Sequence, residues 1–204
     1  GSEMCIRDRY MEGALQTTEK AIVHAGASGV GTAAIQLLKQ SGNPVFVTVG
    51  SDEKLRSCVE LGADTGSVRH QGSFAEAATA WAGEQGVDVI LDPVGGLYLA
   101  DNLHVLGLGG RLVLIGLMGG AVTEANLALL MQKRARVIGS TLRARPIGEK
   151  AAVMDALQRN VWPDIERGAI RPIIEAEMPI QQTQDAHALM ASNATVGKIV
   201  LTVA

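Results

Sequence analysis

The segment Lys20-Ala-Ile-Val-His-Ala-Gly-Ala-Ser-Gly-Val-Gly-Thr-Ala-Ala-Ile-Gln-Leu-Leu-Lys39 decides the fold. It begins as a short apolar strand, turns through small residues and continues as an amphipathic helix. Gly26, Gly29 and Gly31 punctuate the turn. Gly26 is expected to take backbone angles closed to other residues, so that the chain can leave the strand abruptly. Gly29 and Val30 fall where the helix starts, with free N–H groups and partial positive charge that suit a pyrophosphate. Gly31 has no side chain to hold helix and strand apart. The dinucleotide fingerprint G-x-G-x-x-G requires a strand before it and a helix after it. In that frame the chain reads Gly26-Ala-Ser-Gly-Val-Gly31, with Ser28 at the middle glycine. Serine is small enough for close phosphate approach, and its hydroxyl can donate. Six such residues also fit a strand–helix turn that binds nothing. The flanking strand and helix, with a second strand at Val45–Val49, favour a nucleotide site.

Working outward, 204 residues suffice for one sizeable α/β domain plus an addition, and 47% hydrophobic residues suffice for a substantial core. Aromatics at 3% and a net charge of −3 argue against a nucleic-acid surface. No apolar run is long enough to span a bilayer, and no secretory signal is present. Cys5 and Cys58 lack metal-ligand spacing. A cytoplasmic protein is expected. Gly1–Arg9 reads like a translated adaptor tail, so residues 1–14 are set aside as a non-native or disordered leader. Leu15–Glu19 is a turn into the first strand.

The strand Pro44–Val49 ends at Gly50-Ser51, followed by Asp52-Glu53-Lys54. An acidic residue at that strand end holds the ribose 2′-hydroxyl of NAD. Glycine and serine instead leave room for a 2′-phosphate, and Lys54, one turn into the next helix, can reach it. This favours NADPH over NADH. Asp52 and Glu53 suit the helix N-terminus; Lys54 also reads as a solvated helix face. Helix Asp52–Leu61 stops at Gly62, and Cys58 reads as a small core residue. Strand Thr65–Val68 leads to Arg69 and His70, where Arg69 either edges an adenosine or is an ordinary surface residue. Helix Phe74–Gly83 and strand Val87–Leu91 follow, the latter nearly continuous in apolar residues as a doubly covered parallel strand should be. It opens into Asp92-Pro-Val-Gly95-Gly96, where Asp92 either touches a ligand or caps its own turn. Helix Leu97–Leu106 precedes strand Arg111–Ile115, which ends in Gly116-Leu117-Met118-Gly-Gly120. Helix Glu124–Lys133 leads to strand Arg136–Thr141 and then Leu142-Arg143. Residues 147 to 167 are mainly helical with a break at Pro163. Pro172–Glu175, helix Thr183–Ser192 and strand Lys198–Val203 close the chain. This alternation predicts a doubly wound parallel sheet of the Rossmann type over residues 15–175. His24 reads as a satisfied core histidine, His104 and His187 as packing or surface residues. Tyr98 is followed four residues on by Asn102, so a Tyr-x-x-x-Lys pair is absent there.

As a set, His24–Gln36, Val49-Gly50-Ser51 with Lys54, Leu61-Gly-Ala63, Ile90-Leu-Asp92, Gly95-Gly96, Gly110-Arg111, Gly116–Gly120, Ser140-Thr-Leu-Arg143 and Gly197-Lys-Ile-Val-Leu201 resemble the medium-chain dehydrogenase/reductase superfamily, in its zinc-free quinone oxidoreductase branch. The resemblance implies an NADPH site made by Ser28–Gly31, Gly50, Ser51 and Lys54. It places Ile115–Met118 near the nicotinamide with Thr141–Arg143 beside it, Gly95 and Gly96 along the cleft, and Arg69 where relatives border the adenosine. It implies hydride transfer to a quinone or activated alkene, no metal, no side chain that must act as nucleophile, and dimerisation through the sheet edge near Arg136–Thr141. It also implies a β-rich substrate domain before the nucleotide domain, which this chain lacks. Residues 176–204 would return to that domain, leaving the strand at Gly197–Val203 without partners and exposed. Two other readings stay open: a non-catalytic NADPH-sensing or dimerising module, and a zinc alcohol dehydrogenase relative. A methyltransferase also starts with a glycine turn, but it usually keeps an acidic residue where Gly50-Ser51 stands.

Overall fold

The computed structural model describes residues 13–203. Of the leader read over residues 1–14, residues 1–12, with Cys5, lie outside the described residues, while the Gly13 and Ala14 carbonyls accept from Arg111. Six strands form one parallel sheet: β1 (Ala21–Val23), β2 (Val45–Val49), β3 (Thr65–Val68), β4 (Val87–Asp92), β5 (Leu106–Leu114) and β6 (Arg136–Gly139). Their order is β3-β2-β1-β4-β5-β6. The connections run outward in opposite directions from the β1/β4 pair, which opens a crevice beyond the carboxyl ends of those strands.

Strand alternation separates the core into two layers. Ala21, Val23, Val45, Val47 and Val89 face one side, where they meet Ala34, Ile35, Leu37 and Leu38 of α1 (Gly31–Gln40) and Leu157 and Val161 from the later helical stretch and its break. Ile22, Phe46, Ile90 and Leu112 face the other side. There they meet Phe74, Ala75, Ala78 and Ala82 of α3 (Phe74–Ala82) and Leu103 and Val105 of α4 (Leu99–Val105). The α2 helix (Asp52–Glu60) follows β2, and Gly62 behind it adopts φ +117°, the stop read from sequence.

Several boundaries move for local reasons. The β5 strand starts at Leu106, before the expected Arg111, because Leu106 already pairs with Val87, with an irregularity in between. The preceding helix is accordingly shorter, entered through a 3₁₀ turn at Gly96–Tyr98. Helix α5 (Leu127–Gln132) starts later than Glu124, since the Asn126 side chain accepts from Ala128 N and caps it there. The long helical stretch divides at Val161 into α6 (Ile147–Asn160) and α7 (Trp162–Glu166). Pro163 sits in the first turn of α7, where a missing N–H is harmless.

The chain closes with β7 (Ile174–Pro179), α8 (Thr183–Ala191) and β8 (Lys198–Thr202). The expectation that the last strand is unpaired is overturned: β8 pairs in parallel with β7 in a separate two-stranded sheet. Residues on that layer are still open to solvent, with Ile174, Leu201 and Val203 exposed. Gly197 N donates to Ala27 O at 2.8 Å, and Ser28 and Gly197 form a parallel bridge, so the layer is attached to the glycine turn.

Candidate functional site: a rim at the carboxyl ends of the strands

All the residues singled out from sequence follow the carboxyl end of one of the six sheet strands. Gly26 and Ser28–Gly31 follow β1, Gly50 and Ser51 follow β2, and Arg69 follows β3. Gly95 and Gly96 follow β4, Ile115–Met118 follow β5, and Thr141–Arg143 follow β6. Lys54 lies one turn into α2. The topology thus assembles six separate segments along one rim.

The glycine turn is built by close packing. A Cβ on Gly31 would stand 2.5 Å from Gly26 O and 2.6 Å from Ala25 O, so only glycine lets α1 approach the strand end. Gly26 departs from its expected part. The left-handed residue is Ala25, with φ +52°, while Gly26 is buried, and a Cβ there would meet Val47 Cβ at 2.9 Å and Cys58 Sγ at 3.3 Å. Gly26 therefore makes room under the turn, and Ala25 bears the turn's conformational strain. Ser28 is exposed, and its Oγ accepts from Gly31 N at 3.0 Å. That hydroxyl caps the first turn of α1 and occupies one of the donors there.

At the end of β2, Gly50 has nothing within 4 Å of where a Cβ would stand. Ser51 caps α2: its Oγ accepts from Lys54 N at 3.3 Å. The backbone N–H of Glu53 itself and then the Ser51 hydroxyl hold the exposed Glu53 carboxyl below its usual range. The Lys54 ammonium donates to Asn193 O, on the loop after α8. Burial pushes the Cys58 thiol, one turn further along α2, up to about 12, against the pull of Lys54; it is an inert packing group. Arg69 is exposed and its Nε donates to His70 Nε2 at 3.0 Å. Its charge also reaches Tyr98, whose phenol burial pushes up despite it.

The turns after β4 and β5 are zipped together. Ile115 N donates to Asp92 O at 2.8 Å, Gly119 N to Val94 O at 2.7 Å and Gly96 N to Gly120 O at 2.9 Å. Gly95 takes φ +80°, and a Cβ there would stand 2.8 Å from Leu117 Cδ2. Asp92 does cap its own turn: Oδ1 accepts from Val94 N at 2.6 Å and from Gly95 N at 3.1 Å. Ser140 N donates to Leu114 O, which carries the exposed Thr141 and Arg143 out beside Ile115.

Two features escape sequence reasoning. Half-buried Lys198, at the start of β8, lies across the glycine turn: a Cβ on Gly29 would stand 3.0 Å from its Nζ. The Gly197-Lys198 pair gives no local sign of this, since only the fold brings residues 169 positions apart together. The second is a buried polar row, His24, Thr48, Asn102 and Asp92. Among the described residues no three His, Cys, Asp or Glu side chains are grouped so as to hold a metal ion. No helix among them is long and apolar enough to cross a membrane. A hollow of about 330 Å³ lined by Met154, Asp155, Leu157, Gln158 and Trp162 shares no residue with the rim.

Residues 29–159 match the family described as zinc-binding dehydrogenase. The chain is 29% identical over 184 residues to a quinone oxidoreductase of Rattus norvegicus and 27% identical to that of Homo sapiens. In each case 90% of this chain is covered and 54% of the relative, so the chain spans about half the length of the curated relatives it matches. Its structure is similar to that of Escherichia coli quinone oxidoreductase complexed with NADPH, with TM-score 0.86 and 27% identity, covering 99% of this chain and 63% of the other. It is likewise similar to an NAD-dependent alcohol dehydrogenase, with TM-score 0.83 and 25% identity over 100% of this chain and 57% of the other. The rim is thus carried by the dinucleotide-binding fold of those proteins, and the chain belongs to the zinc-binding dehydrogenase family of the medium-chain dehydrogenase/reductase superfamily.

Proposed function

We propose that the chain is the NADPH-binding part of an oxidoreductase that passes hydride to a quinone or an activated alkene. The observation that carries this reading is the pairing of the Gly29 turn with Lys198: a helix N-terminus and an ammonium lie together where a diphosphate would sit. The chain's own part is binding and orientation. The first turn of α1 and Lys198 take the diphosphate. The open ground at Gly50, with Ser51 and Lys54, takes the 2′-phosphate, Lys54 exchanging the Asn193 carbonyl for it. Arg69 edges the adenosine. Gly95, Gly96, Ile115, Gly116, Leu117, Met118, Thr141, Leu142 and Arg143 line the nicotinamide half. NADPH, when bound, supplies the hydride. No side chain of the chain is assigned a catalytic proton.

In this reading residues 15–175 form the nucleotide domain and 176–204 belong with the substrate-side part of a longer, cytoplasmic protein. The acceptor pocket is then completed by residues outside the chain, which alone binds cofactor with little turnover. Edge strand β6, largely exposed and with Val137 open to solvent, is the surface through which two copies pair. The same bare edge favours one second reading, a dimerising module that senses NADPH without reducing anything. Fluorescence titration of the purified chain with NADPH and NADH tests the cofactor. Tighter NADPH supports it, and equal or tighter NADH overturns the 2′-phosphate assignment. Rapid quinone reduction by the chain alone would overturn the claim of little turnover.

A further inference from the structure

One level of the sheet is polar where the levels before it are apolar. Ile22, Phe46 and Ile90 fill the second face in register. Two residues on, the same positions hold His24, Thr48 and Asp92, and Asn102 of α4 reaches in from above. His24, Thr48, Asp92 and Asn102 are all almost wholly buried. A buried polar row stabilises only if every partner is satisfied. This one is satisfied in a single direction. Asp92 Oδ2 accepts from Asn102 Nδ2 at 2.9 Å, which turns Asn102 Oδ1 toward the imidazole. His24 Nε2 then donates to Asn102 Oδ1 at 2.7 Å, and the bare His24 Nδ1 accepts from the Thr48 hydroxyl at 3.0 Å. The neutral ring is held edge-on by Phe74 and Tyr98, each with centroids 4.8 Å away. Burial keeps it neutral, overriding the charges of Asp92 and Asp101.

Two places along this row matter. His24 is followed at once by Ala25, the left-handed residue of the glycine turn. Asp92, at the far end from Thr48, holds the Val94 and Gly95 N–H groups of the next turn. In a sheet of this order the adenosine half of a dinucleotide lies over β2 and β3, and the nicotinamide half over β4 and β5. We infer that His24 and Asn102 are positioning residues, which through Asp92 fix the Val94–Gly95 turn at a set height beside the glycine turn and so shape the nicotinamide half of the cleft. The inference rests on the dinucleotide reading above.

Two measurements on the chain without cofactor test the row itself. Long-range ¹H–¹⁵N correlation of His24 is expected to show a neutral ring protonated at Nε2; protonation at Nδ1, or a cationic ring at pH 7, overturns the inference. Amide hydrogen exchange at Val94 and Gly95 is expected to accelerate about tenfold or more in Asn102→Leu while exchange in the core of α1 holds; unchanged protection at Val94 and Gly95 overturns it. Nucleotide binding then reads the consequence. His24→Leu and Asn102→Leu should weaken NADPH about tenfold yet leave 2′,5′-ADP within about twofold, and His24→Gln, which keeps a donor and an acceptor, should restore NADPH. Equal loss of both ligands, or no loss of NADPH, defeats the positioning role. Should a leucine variant fail to fold, His24→Gln and the correlation spectrum of the unaltered chain decide. Failure of the unaltered chain to bind either nucleotide would instead defeat the dinucleotide reading, an outcome the exchange experiment does not share.

Discussion

Lys198 lies against Gly29 closely enough that a methyl group on the glycine would touch the lysine chain at Cγ, 2.9 Å away. The cation at the start of β8 is therefore part of the glycine turn's surroundings, although it belongs to a different sheet. A charge-assisted bond from such an ammonium contributes about 1.5–3 kcal/mol. Lys198→Met keeps the aliphatic cover and removes the charge. It is expected to weaken NADPH binding roughly tenfold or more and to flatten its salt dependence. Titration at two ionic strengths measures both, and unchanged affinity would remove Lys198 from the site.

Gly31→Ala tests the packing of the same turn from beneath. The added carbon meets two backbone carbonyl oxygens, Gly26 O and Ala25 O, neither of which is the free end of a side chain. The α1 helix must move off the strand end. Overpacking of this kind costs about 1–3 kcal/mol. Denaturant melts are expected to show that loss, together with weaker cofactor binding. Gly50→Ala meets open space and is expected to leave stability within about 0.5 kcal/mol.

Stability is expected to fall with acid in two stages. His24 is buried and its folded-state pKa lies below the ordinary value, with burial the main cause. The unfolded chain takes up this proton first, near pH 6.5. Its contribution is present above that pH and is lost as pH falls toward the folded value. Glu19 gives the second stage. Burial acts to raise its pKa, but the Arg111 hydrogen bonds and charge and the Gln16 N–H bring it below the ordinary value. Arg111 grips Glu19 at 2.6 Å and also holds Gly13 O at 2.8 Å. The contribution of Glu19 is present above about pH 4.3 and is lost as pH falls through its folded value. Urea melts from pH 8 to pH 3 should show both stages. His24→Gln should remove the upper one and Glu19→Gln the lower one.

Local patterns made most of the sheet legible. Val45–Val49, mostly β-branched around Phe46, and Thr65–Val68, of β-branched and small residues, are bounded by turn residues and form as read. The rim was legible because each glycine cluster directly follows a strand. What could not be read depends on contacts distant in sequence. Nothing near Lys198 or Asn193 announces that they reach Gly29 and Lys54. The last strand is expected to be unpaired only because the resemblance assigns it to another domain; its partner is β7, whose alternation of Ile174, Ala176 and Met178 with glutamates is too short to announce a strand by itself. Gly26 looked like the flexible residue because glycine is the usual occupant of a left-handed turn, yet the crowding of Val47 and Cys58 claimed it for space and shifted the turn to Ala25.

The proposed preference for a phosphorylated ribose is open to reversal at one residue. Gly50 follows β2 with no atom near its missing Cβ and with no positive φ, so a side chain fits there without strain. Gly50→Asp would place a carboxylate where it accepts from a ribose 2′-hydroxyl and repels a 2′-phosphate. Asp52 and Glu53 stand two and three positions on, so the added charge would build on an acid-rich turn that is offset by Lys54 and by Arg56, which pairs with Glu53 at 3.3 Å. NADPH affinity is expected to fall at least tenfold, and NADH affinity to rise several-fold. Like-charge repulsion at this range is screened, so the NADPH penalty should shrink as salt is added. Parallel titrations of the two nucleotides at low and high salt measure all three effects. If Gly50→Asp left both affinities as they were, the 2′-phosphate subsite would lie elsewhere on the rim.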